Sequence, residues 1–331
     1  MTNFGKTCQS GSAQDRMDLG QARLLVKERI QDILRRSDRA VRDVMEHLAG
    51  SDGKAFRAYL LLAAAADEDG FVPACAIDAA AALELLHLAT LVHDDVLDDA
   101  PLRRGKASVY SLFGKKTAVL SGDYLFSLAL TLIAGIAESH ALRYSEFSRA
   151  IAQICMGELS QHRHNRDVDL SVFSYLRIIS GKTAVLFALA MSAGSILGGY
   201  SEAQAHRMSR FGHAIGMHFQ LVDDCLDYEV STQTMKKQTA KDLAEGVVTL
   251  PLIFALAEKP ALRDLMRHSK LTPADIVAIS KDIVATGYVG RARQVAQRYL
   301  DKARSILAQE DGQARRQRLG AILDSIAARN H

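Results

Sequence analysis

Apolar residues recur along most of this chain at the three- and four-residue spacing of amphipathic helices. Residues 231–241 are instead polar and predict a flexible loop, and no internal repeat or low-complexity linker interrupts the pattern. We expect an all-α protein, with a disordered start at 1–19 and a single domain at 20–331 built as a bundle of long antiparallel helices around a central cavity. The predicted helices are 21–48 with a break at Ser37-Asp38, 54–66, 74–96, 117–137, 145–163, 171–180, 183–197, 202–228, 243–257 interrupted near Pro251, 273–286 and 289–328.

Composition narrows the class of protein. Only 5 of 331 residues are proline, which favours long helices. The formal charge of +3, without a basic stripe and interleaved aromatic residues, argues against a nucleic-acid partner. The N-terminus lacks the apolar core of a signal peptide. Cys8, Cys75, Cys155 and Cys225 lie far apart, which excludes a zinc-ribbon spacing and indicates free thiols in a cytoplasmic protein.

The longest uncharged run extends from Thr183 to Ser201 and is long enough to span a bilayer. It is rich in Ala, Ser and Gly rather than Leu and Ile, which favours a buried central helix. We therefore expect no stable membrane insertion.

The stretch from Glu84 to Lys106 carries the first candidate chemistry. An apolar helix leads into Asp94, Asp95 and Asp98, and then into Arg103 and Arg104. Crowded carboxylates repel one another unless a cation neutralises them. Oxygen ligands of this kind suit Mg²⁺ bound together with substrate phosphates, and arginine is suited to the phosphate oxygens. Without a second signal, a solvated charged loop explains the same residues.

That second signal lies at Asp223, Asp224 and Asp227, where Asp-Asp-x-x-Asp recurs at the end of another long apolar helix. The helix macrodipole disfavours anions at a helix C-terminus, so a compensating cation explains both clusters. If the two helices lie side by side and parallel, six carboxylates hold a group of Mg²⁺ ions on one diphosphate. Such a cluster acts as a Lewis acid on a departing diphosphate.

From about Gly53 to Pro251, the chain resembles a trans-isoprenyl diphosphate synthase of the polyprenyl synthetase family, and the spacing of DDVLDDAPLRRGK resembles its bacterial long-chain members. The resemblance implies an isoprenoid-synthase fold, a homodimer, and Mg²⁺-dependent head-to-tail (1′-4) condensation. Isopentenyl diphosphate attacks the cation formed from an allylic diphosphate, which gives a trans-polyprenyl diphosphate longer by five carbons. We expect three Mg²⁺ ions to bridge the allylic diphosphate.

The resemblance also implies roles for individual residues. Asp94, Asp98 and Asp223 match the principal metal ligands, with Asp95, Asp224 and Asp227 in support. The matches for isopentenyl diphosphate are Lys54, Arg57, His87 and Arg104. The matches for the allylic diphosphate are Arg103, Lys182, Thr183, Gln220 and Lys237.

The chain departs from the family pattern in two basic segments. Asp52 to Ala58 loses one arginine, one glycine and the proline of Gly-Gly-Lys-Arg-x-Arg-Pro. Lys236 and Ala240 replace usual glycines, and Val247 replaces a usual lysine. Fewer cations weaken the binding of one substrate, mark an unusual substrate, or indicate a member that works best with a partner subunit.

Other functions remain open at this point. A class I terpene cyclase shares diphosphate ionisation, but its second motif differs. Glu84-x-x-His87 is half of a di-iron signature, and the other half is missing. A subunit of a heteromeric prenyl synthase also fits, although both aspartate motifs are intact.

The C-terminal helices carry a run of basic residues that we interpret as a solvated helix surface, with a weak contact to a membrane surface as the alternative. The run comprises Arg291, Arg293, Arg298, Lys302, Arg304, Arg315, Arg316 and Arg318.

Product length gives the first testable prediction. Ala89 and Thr90 precede Asp94 by about one helical turn, so we expect them to line the tunnel in which the product grows. In the family that the chain resembles, bulky aromatic residues at these positions stop growth early, so the small residues here imply a product longer than C15. The alternative is that growth is stopped lower, around Leu128 or Leu132 on the 117–137 helix. Ala89→Phe or Ala89→Tyr should shorten the product in a chromatographic assay, and Ala89→Ser should not. An unchanged product after the aromatic substitutions contradicts the assignment.

Overall fold

The computed structural model describes residues 16–50, 55–138, 142–233, 241–268 and 271–328. Within these ranges the chain is mainly helical, and two short antiparallel strand pairs accompany the helices. The strands are β1 (Arg16–Asp18), β2 (Phe71–Pro73), β3 (Leu102–Arg103) and β4 (Lys106–Ala107). The helices are α1 (Leu19–Arg35), α2 (Arg42–Ala49), α3 (Phe56–Ala65), α4 (Cys75–Leu97), α5 (Val109–Phe113), α6 (Lys115–Ala137), α7 (Tyr144–Arg163), α8 (Val172–Ile179), α9 (Val185–Leu197), α10 (Glu202–Gln233), α11 (Lys241–Glu245), α12 (Leu250–Glu258), α13 (Pro260–His268), α14 (Pro273–Ala285), α15 (Tyr288–Leu307) and α16 (Gln313–Ala327).

The start of the described chain is more ordered than the sequence predicts. β1 pairs antiparallel with β2, with Met17 opposite Val72. The Asp18 carboxylate then accepts hydrogen bonds from the N–H groups of Gly20 and Gln21, at 2.8 and 3.0 Å, and so caps α1. The predicted disorder of 1–19 is therefore wrong for residues 16–19, while residues 1–15 lie outside the described ranges.

The chain divides into two compact units. The first comprises Met1–Ser148, Leu189–Ser209 and Glu310–Leu319, and the second comprises Arg149–Ala188, Arg210–Gln309 and Gly320–His331. The single domain at 20–331 stays a prediction.

Helix α4 is central to the first unit, where it packs against α1, α3 and α6. Residues 79–83, 85 and 86 of α4 are all buried, and most of them are alanine. Small side chains let neighbouring helices approach closely. One such close approach is at Gly194 of α9, where a Cβ atom would lie far inside van der Waals distance of the Leu61 carbonyl oxygen of α3. The first unit therefore depends on small residues where its helices meet.

The second unit has a continuous apolar core from α8, α10, α12, α14 and α15, with buried residues that include Tyr175, Tyr228 and Ile283. Polar groups inside this core are paired. The Tyr228 hydroxyl lies 3.0 Å from Thr249 Oγ1, and His218 Nδ1 donates to the Ala296 carbonyl oxygen at 2.9 Å. These contacts join α10 to the start of α12 and to α15.

Several predicted helix boundaries are corrected. Pro251 does not interrupt a helix, because it occupies the first turn of α12, where proline is tolerated. The break instead falls at 246–249, beginning with Gly246 at φ +86°. The predicted helix 289–328 is two helices, α15 and α16. Helix α10 continues to Gln233, into the predicted loop, whose residues 234–240 lie outside the described ranges.

The C-terminal basic run is not simply a solvated surface. Arg315 is 0% exposed, and its guanidinium lies 3.5 Å from the centroid of the Tyr200 ring. It donates to Ser195 Oγ at 2.6 Å, to the Ala64 carbonyl oxygen at 3.2 Å and to Glu310 at 3.2 Å. The predicted solvated role is therefore wrong for Arg315, which ties α16 to the body of the first unit.

Three other members of the run, Arg291, Arg293 and Arg304, are paired with acids, Arg304 with Asp301 at 3.3 Å. Arg291 lies 2.5 Å from Glu258, and Arg293 lies 2.5 Å from Glu229. These pairs reduce the positive charge that a membrane surface would meet.

Three helical stretches in the described chain are long and apolar enough to cross a membrane by length and composition: Cys75–Leu97, Lys115–Ala137 and Val172–Leu197. The most apolar window of Cys75–Leu97 is 61% buried inside the protein, which indicates a packing role for that helix.

The α3 contact leads to a stability prediction. Gly194→Ala should lower the free energy of unfolding by about 1–3 kcal/mol, because the added methyl group forces two helices apart. Gly135→Ala is the matched control, since a Cβ atom at this helical position meets nothing within 4 Å. The control should keep or raise stability by about 0.5–1 kcal/mol. Equal denaturant midpoints for the two variants would contradict the close approach.

Candidate functional site

The first aspartate motif stands at the end of α4. Asp94 is half-buried, and Asp98 is exposed where the helix ends. Asp95 is buried, and its two carboxylate oxygens accept from Arg103 Nε at 2.8 and 2.9 Å. Asp95 and Arg103 therefore form an ion pair in this structure. Asp94 and Asp98 lie one turn apart on the same face at the end of α4.

Arg103 and Arg104 lie on the β3–β4 hairpin, in which Leu102 is opposite Ala107. The two turn residues, Arg104 and Gly105, have φ of +52° and +79°, as in the tight turns that suit two-residue hairpins. A left-handed backbone is unfavourable for arginine. Arg104 therefore occupies a turn position that asparagine, aspartate or glycine usually fills.

Arg57 and His87 meet in the first unit. Arg57 Nη1 donates to His87 Nε2 at 2.8 Å, so His87 accepts through that nitrogen and is neutral. Burial lowers the pKa of His87 well below its ordinary value, and Arg57, Arg103 and Arg104 lower it further. Two residues predicted to bind isopentenyl diphosphate are thus in contact. Lys54, another of the four residues predicted to bind isopentenyl diphosphate, lies outside the described residues.

The predicted product-length residues are on α4. Ala89 is fully buried, and Thr90 Oγ1 donates to the His87 carbonyl oxygen at 2.7 Å. Their role in a tunnel stays a prediction.

The second aspartate motif is organised by a chain of hydrogen bonds inside the second unit. Thr183 Oγ1 donates to Gln220 Oε1 at 2.7 Å, and Gln220 Nε2 donates to Asp224 Oδ1 at 2.7 Å. The Tyr175 hydroxyl donates to Asp224 Oδ2. Both oxygens of buried Asp224 thus accept from protein donors, which fixes the position of this carboxylate within α10, and Asp223 is exposed beside it.

Asp227 receives a different kind of support. Its two carboxylate oxygens accept from the N–H groups of Lys241 and Asp242, each at 3.2 Å. Asp242 belongs to the same acidic group, although the sequence analysis does not single it out. Burial raises the pKa of Asp242 to about 8, and the charges of Asp224 and Asp227 raise it in the same direction.

Lys182 is placed by a close crossing of two helical segments. A Cβ atom on Gly157 would lie 2.6 Å from Lys182 N, so α7 and the π-helical turn Ser180–Ala184 touch through glycine backbone. Lys182 Nζ then pairs with Glu158 at 2.9 Å. Lys237, the other predicted lysine of this group, lies outside the described residues.

A pocket in the second unit brings several of these residues together. Its lining includes Lys182, Gln220, Asp224, Asp242 and Val247. Among the described lining residues, Lys182 is the one lysine or arginine, and Val247 stands where the family resemblance predicts a second lysine. Lys182 therefore shares the pocket with two carboxyl groups, those of Asp224 and Asp242.

Tyr175 and Asp242 are two residues of this site that the sequence does not predict. Both act on the second motif through contacts between segments that are distant in sequence, and a single sequence carries no spacing signal for either. Among the described residues, no group of three or more His, Cys, Asp and Glu side chains forms a ready-made metal site.

Comparisons with known proteins agree with this geometry. The polyprenyl synthetase family model matches residues 38–283. The chain belongs to the polyprenyl synthetase family. It is 36% identical over 229 residues, 69% of this chain and 71% of the relative, to heptaprenyl diphosphate synthase component 2 of Geobacillus stearothermophilus. It is 31% identical over 309 residues, 92% of this chain and 91% of the relative, to nonaprenyl diphosphate synthase of Mycobacterium tuberculosis.

A solved structure supports the same assignment. The polyprenyl synthase of Caulobacter crescentus, complexed with calcium and isoprenyl diphosphate, is similar with a TM-score of 0.83 and 32% identity, over 98% of this chain and 100% of that chain. The predicted family, the all-α fold and the enzyme class are confirmed: this polyprenyl synthetase is a trans-prenyltransferase. The class I terpene cyclase is thereby disfavoured.

The support of Asp224 gives a pH prediction. Burial raises the pKa of Asp224 to about 6, and the hydrogen bonds from Tyr175 and Gln220 oppose that rise. Tyr175→Phe removes one of them, so the pKa should rise further and the carboxylate should remain protonated to higher pH. We expect the acidic limb of the pH–activity profile to move upward by about one unit.

Tyr228→Phe is the matched control, since this buried tyrosine bonds Thr249 instead. It should lower stability without moving the acidic limb. An equal shift of the limb in both variants contradicts a specific effect of Tyr175.

Proposed function

We propose that this trans-prenyltransferase condenses isopentenyl diphosphate with an allylic diphosphate, head-to-tail (1′-4), to a trans-polyprenyl diphosphate longer than C15. The observation that carries the proposal is the internal support of both aspartate motifs. Arg103 holds Asp95, and Gln220 with Tyr175 holds Asp224. A purely solvated acidic surface needs no such buried support.

The carboxylates of Asp94, Asp98 and Asp223 are of the type that Mg²⁺ takes together with a diphosphate. Magnesium usually keeps one or two protein carboxylates and completes its shell with water and substrate phosphates. The lack of a ready-made three-residue site in the described chain agrees with this mode. We assign Asp94, Asp98 and Asp223 as the principal ligands of three ions. When bound, Mg²⁺ supplies Lewis-acid stabilisation of the departing diphosphate.

In the proposed reaction, the allylic C–O bond breaks and its electron pair leaves with the diphosphate. The double bond of isopentenyl diphosphate attacks the allylic cation, and loss of a proton restores a double bond. We assign Arg103, Lys182, Thr183, Gln220 and Lys237 to the allylic diphosphate. We assign Lys54, Arg57, His87 and Arg104 to isopentenyl diphosphate, with the neutral His87 kept in place by Arg57.

The product is proposed to be long because the curated relatives named above are heptaprenyl and nonaprenyl synthases. Ala89 supports this through its small size.

We propose a homodimer in the cytoplasm. Each unit has exposed apolar side chains of the kind that a second copy covers. They are Val119 and Leu120 on α6 in the first unit, and Met156 and Leu159 on α7 in the second. A subunit of a heteromeric enzyme is the second candidate, since the Geobacillus relative is named as component 2 of its synthase.

Purified protein with Mg²⁺, labelled isopentenyl diphosphate and C5 to C20 allylic primers should yield extractable chains longer than C15. Asp94→Ala and Asp223→Ala should each lower turnover by at least about a hundredfold, because each removes a charge that stabilises the leaving group. Asp324→Asn, an exposed acid on α16, should retain wild-type turnover.

Circular dichroism checks that the two inactive variants are folded. An inactive wild type overturns the proposal of an enzyme that works alone. Product of C15 or shorter with every primer overturns the assigned length.

A further inference from the structure

Glu84 has no assigned role, yet it lies among the residues proposed to bind isopentenyl diphosphate. It is on α4, one turn before His87, and is mostly buried. Its Oε1 accepts a hydrogen bond from the Ala58 N–H at 2.9 Å, in the first turn of α3. A side chain of α4 therefore holds the beginning of the helix that carries Arg57.

The beginning of α3 needs this support. Its N-cap residue, Ala55, has a left-handed backbone at φ +44° and provides no side-chain hydrogen bond to the helix. The first N–H groups of a helix lack partners within the helix, and a carboxylate there is favourable to the macrodipole. Glu84 supplies from another helix the cap that Ala55 cannot supply.

Glu84 is also an acidic residue close to positively charged side chains. Arg57 and Arg104 both interact electrostatically with it, and Arg57 contacts His87. Burial raises the pKa of the Glu84 carboxyl, and the Ala58 N–H and Arg57 oppose that rise. Two guanidinium groups repel each other in a site of low dielectric constant, and a central carboxylate reduces that repulsion.

We propose that Glu84 is a positioning residue that holds Arg57, His87 and Arg104 in the arrangement that receives the diphosphate of isopentenyl diphosphate. This inference rests on the proposed function of those three residues. Glu84 acts through them and does not itself meet the substrate, since a carboxylate would repel a diphosphate.

Two substitutions separate its hydrogen bond from its charge. Glu84→Gln keeps an oxygen that accepts from Ala58 N–H but removes the charge, whereas Glu84→Ala removes both. Steady-state rates are measured with each substrate varied at saturating concentration of the other. KM for isopentenyl diphosphate should rise severalfold in Glu84→Gln and about tenfold or more in Glu84→Ala, the loss typical of a charged hydrogen-bond partner. KM for the allylic diphosphate should stay within about twofold.

Asp78→Asn is the matched control. Asp78 is on the same helix and pairs with Arg29 of α1 at 2.6 Å, away from the proposed site. This control should lower the melting temperature and leave both KM values unchanged.

A merely structural role for Glu84 gives a different result: Glu84→Gln behaves as wild type, and Glu84→Ala lowers the melting temperature with both KM values unchanged. That result overturns the inference. Arg57→Ala then separates the two proposals. If it raises KM for isopentenyl diphosphate while the Glu84 variants do not, only the positioning role fails. If it also leaves that KM unchanged, the proposed binding site fails as well.

Discussion

The structure around the two aspartate motifs depends on one constraint: the repulsion between crowded carboxylates must be offset by hydrogen-bond donors or cations. The first Asp-Asp-x-x-Asp motif ends α4, where like charges repel and the macrodipole is unfavourable. The second lies within α10, which continues to Gln233, so only the repulsion between neighbouring carboxylates applies there. In both motifs the second aspartate is buried and accepts hydrogen bonds from donors inside the protein. Asp95 accepts from Arg103, and Asp224 accepts from Tyr175 and Gln220. The β3–β4 hairpin in the first unit and the segment from Tyr175 to Thr183 in the second are therefore tied to the aspartate motifs by these hydrogen bonds.

Close backbone approach is the second requirement, and it makes glycine necessary at particular places. At Gly157 and Gly181 two helical segments cross so tightly that the Lys182 backbone lies against α7. The crossing sets the Lys182 side chain beside Glu158, where the ion pair keeps an ammonium group oriented before any diphosphate is bound. The contact between these two helical segments thus also sets the position of the Lys182 ammonium group. A substitution that widens the contact should displace that cation.

The two departures from the family pattern have different structural consequences. Ala58 carries an N–H group that proline lacks, and Glu84 accepts from it. The altered segment is thus anchored by an interaction that the usual residue cannot make. Val247 has no such replacement among the described lining of its pocket, where Asp242 and Asp224 both have raised pKa values. This pocket therefore depends more strongly on Lys182 and on cations that arrive with the substrate.

The sequence by itself determined the helical class, the two aspartate motifs and the family, because apolar periodicity and local spacing survive in one dimension. The capping box of Thr272 and Asp275 at the start of α14 is equally local in sequence. Only the tertiary structure decided that Arg315 is buried, that Asp95 and Asp224 are occupied by protein donors, and that Tyr175, Asp242 and Glu84 join the sites. These outcomes depend on contacts between segments as far apart in sequence as Ala64 and Arg315. A buried polar group needs hydrogen-bond partners to offset the cost of its desolvation, and only the folded chain brings those partners to it.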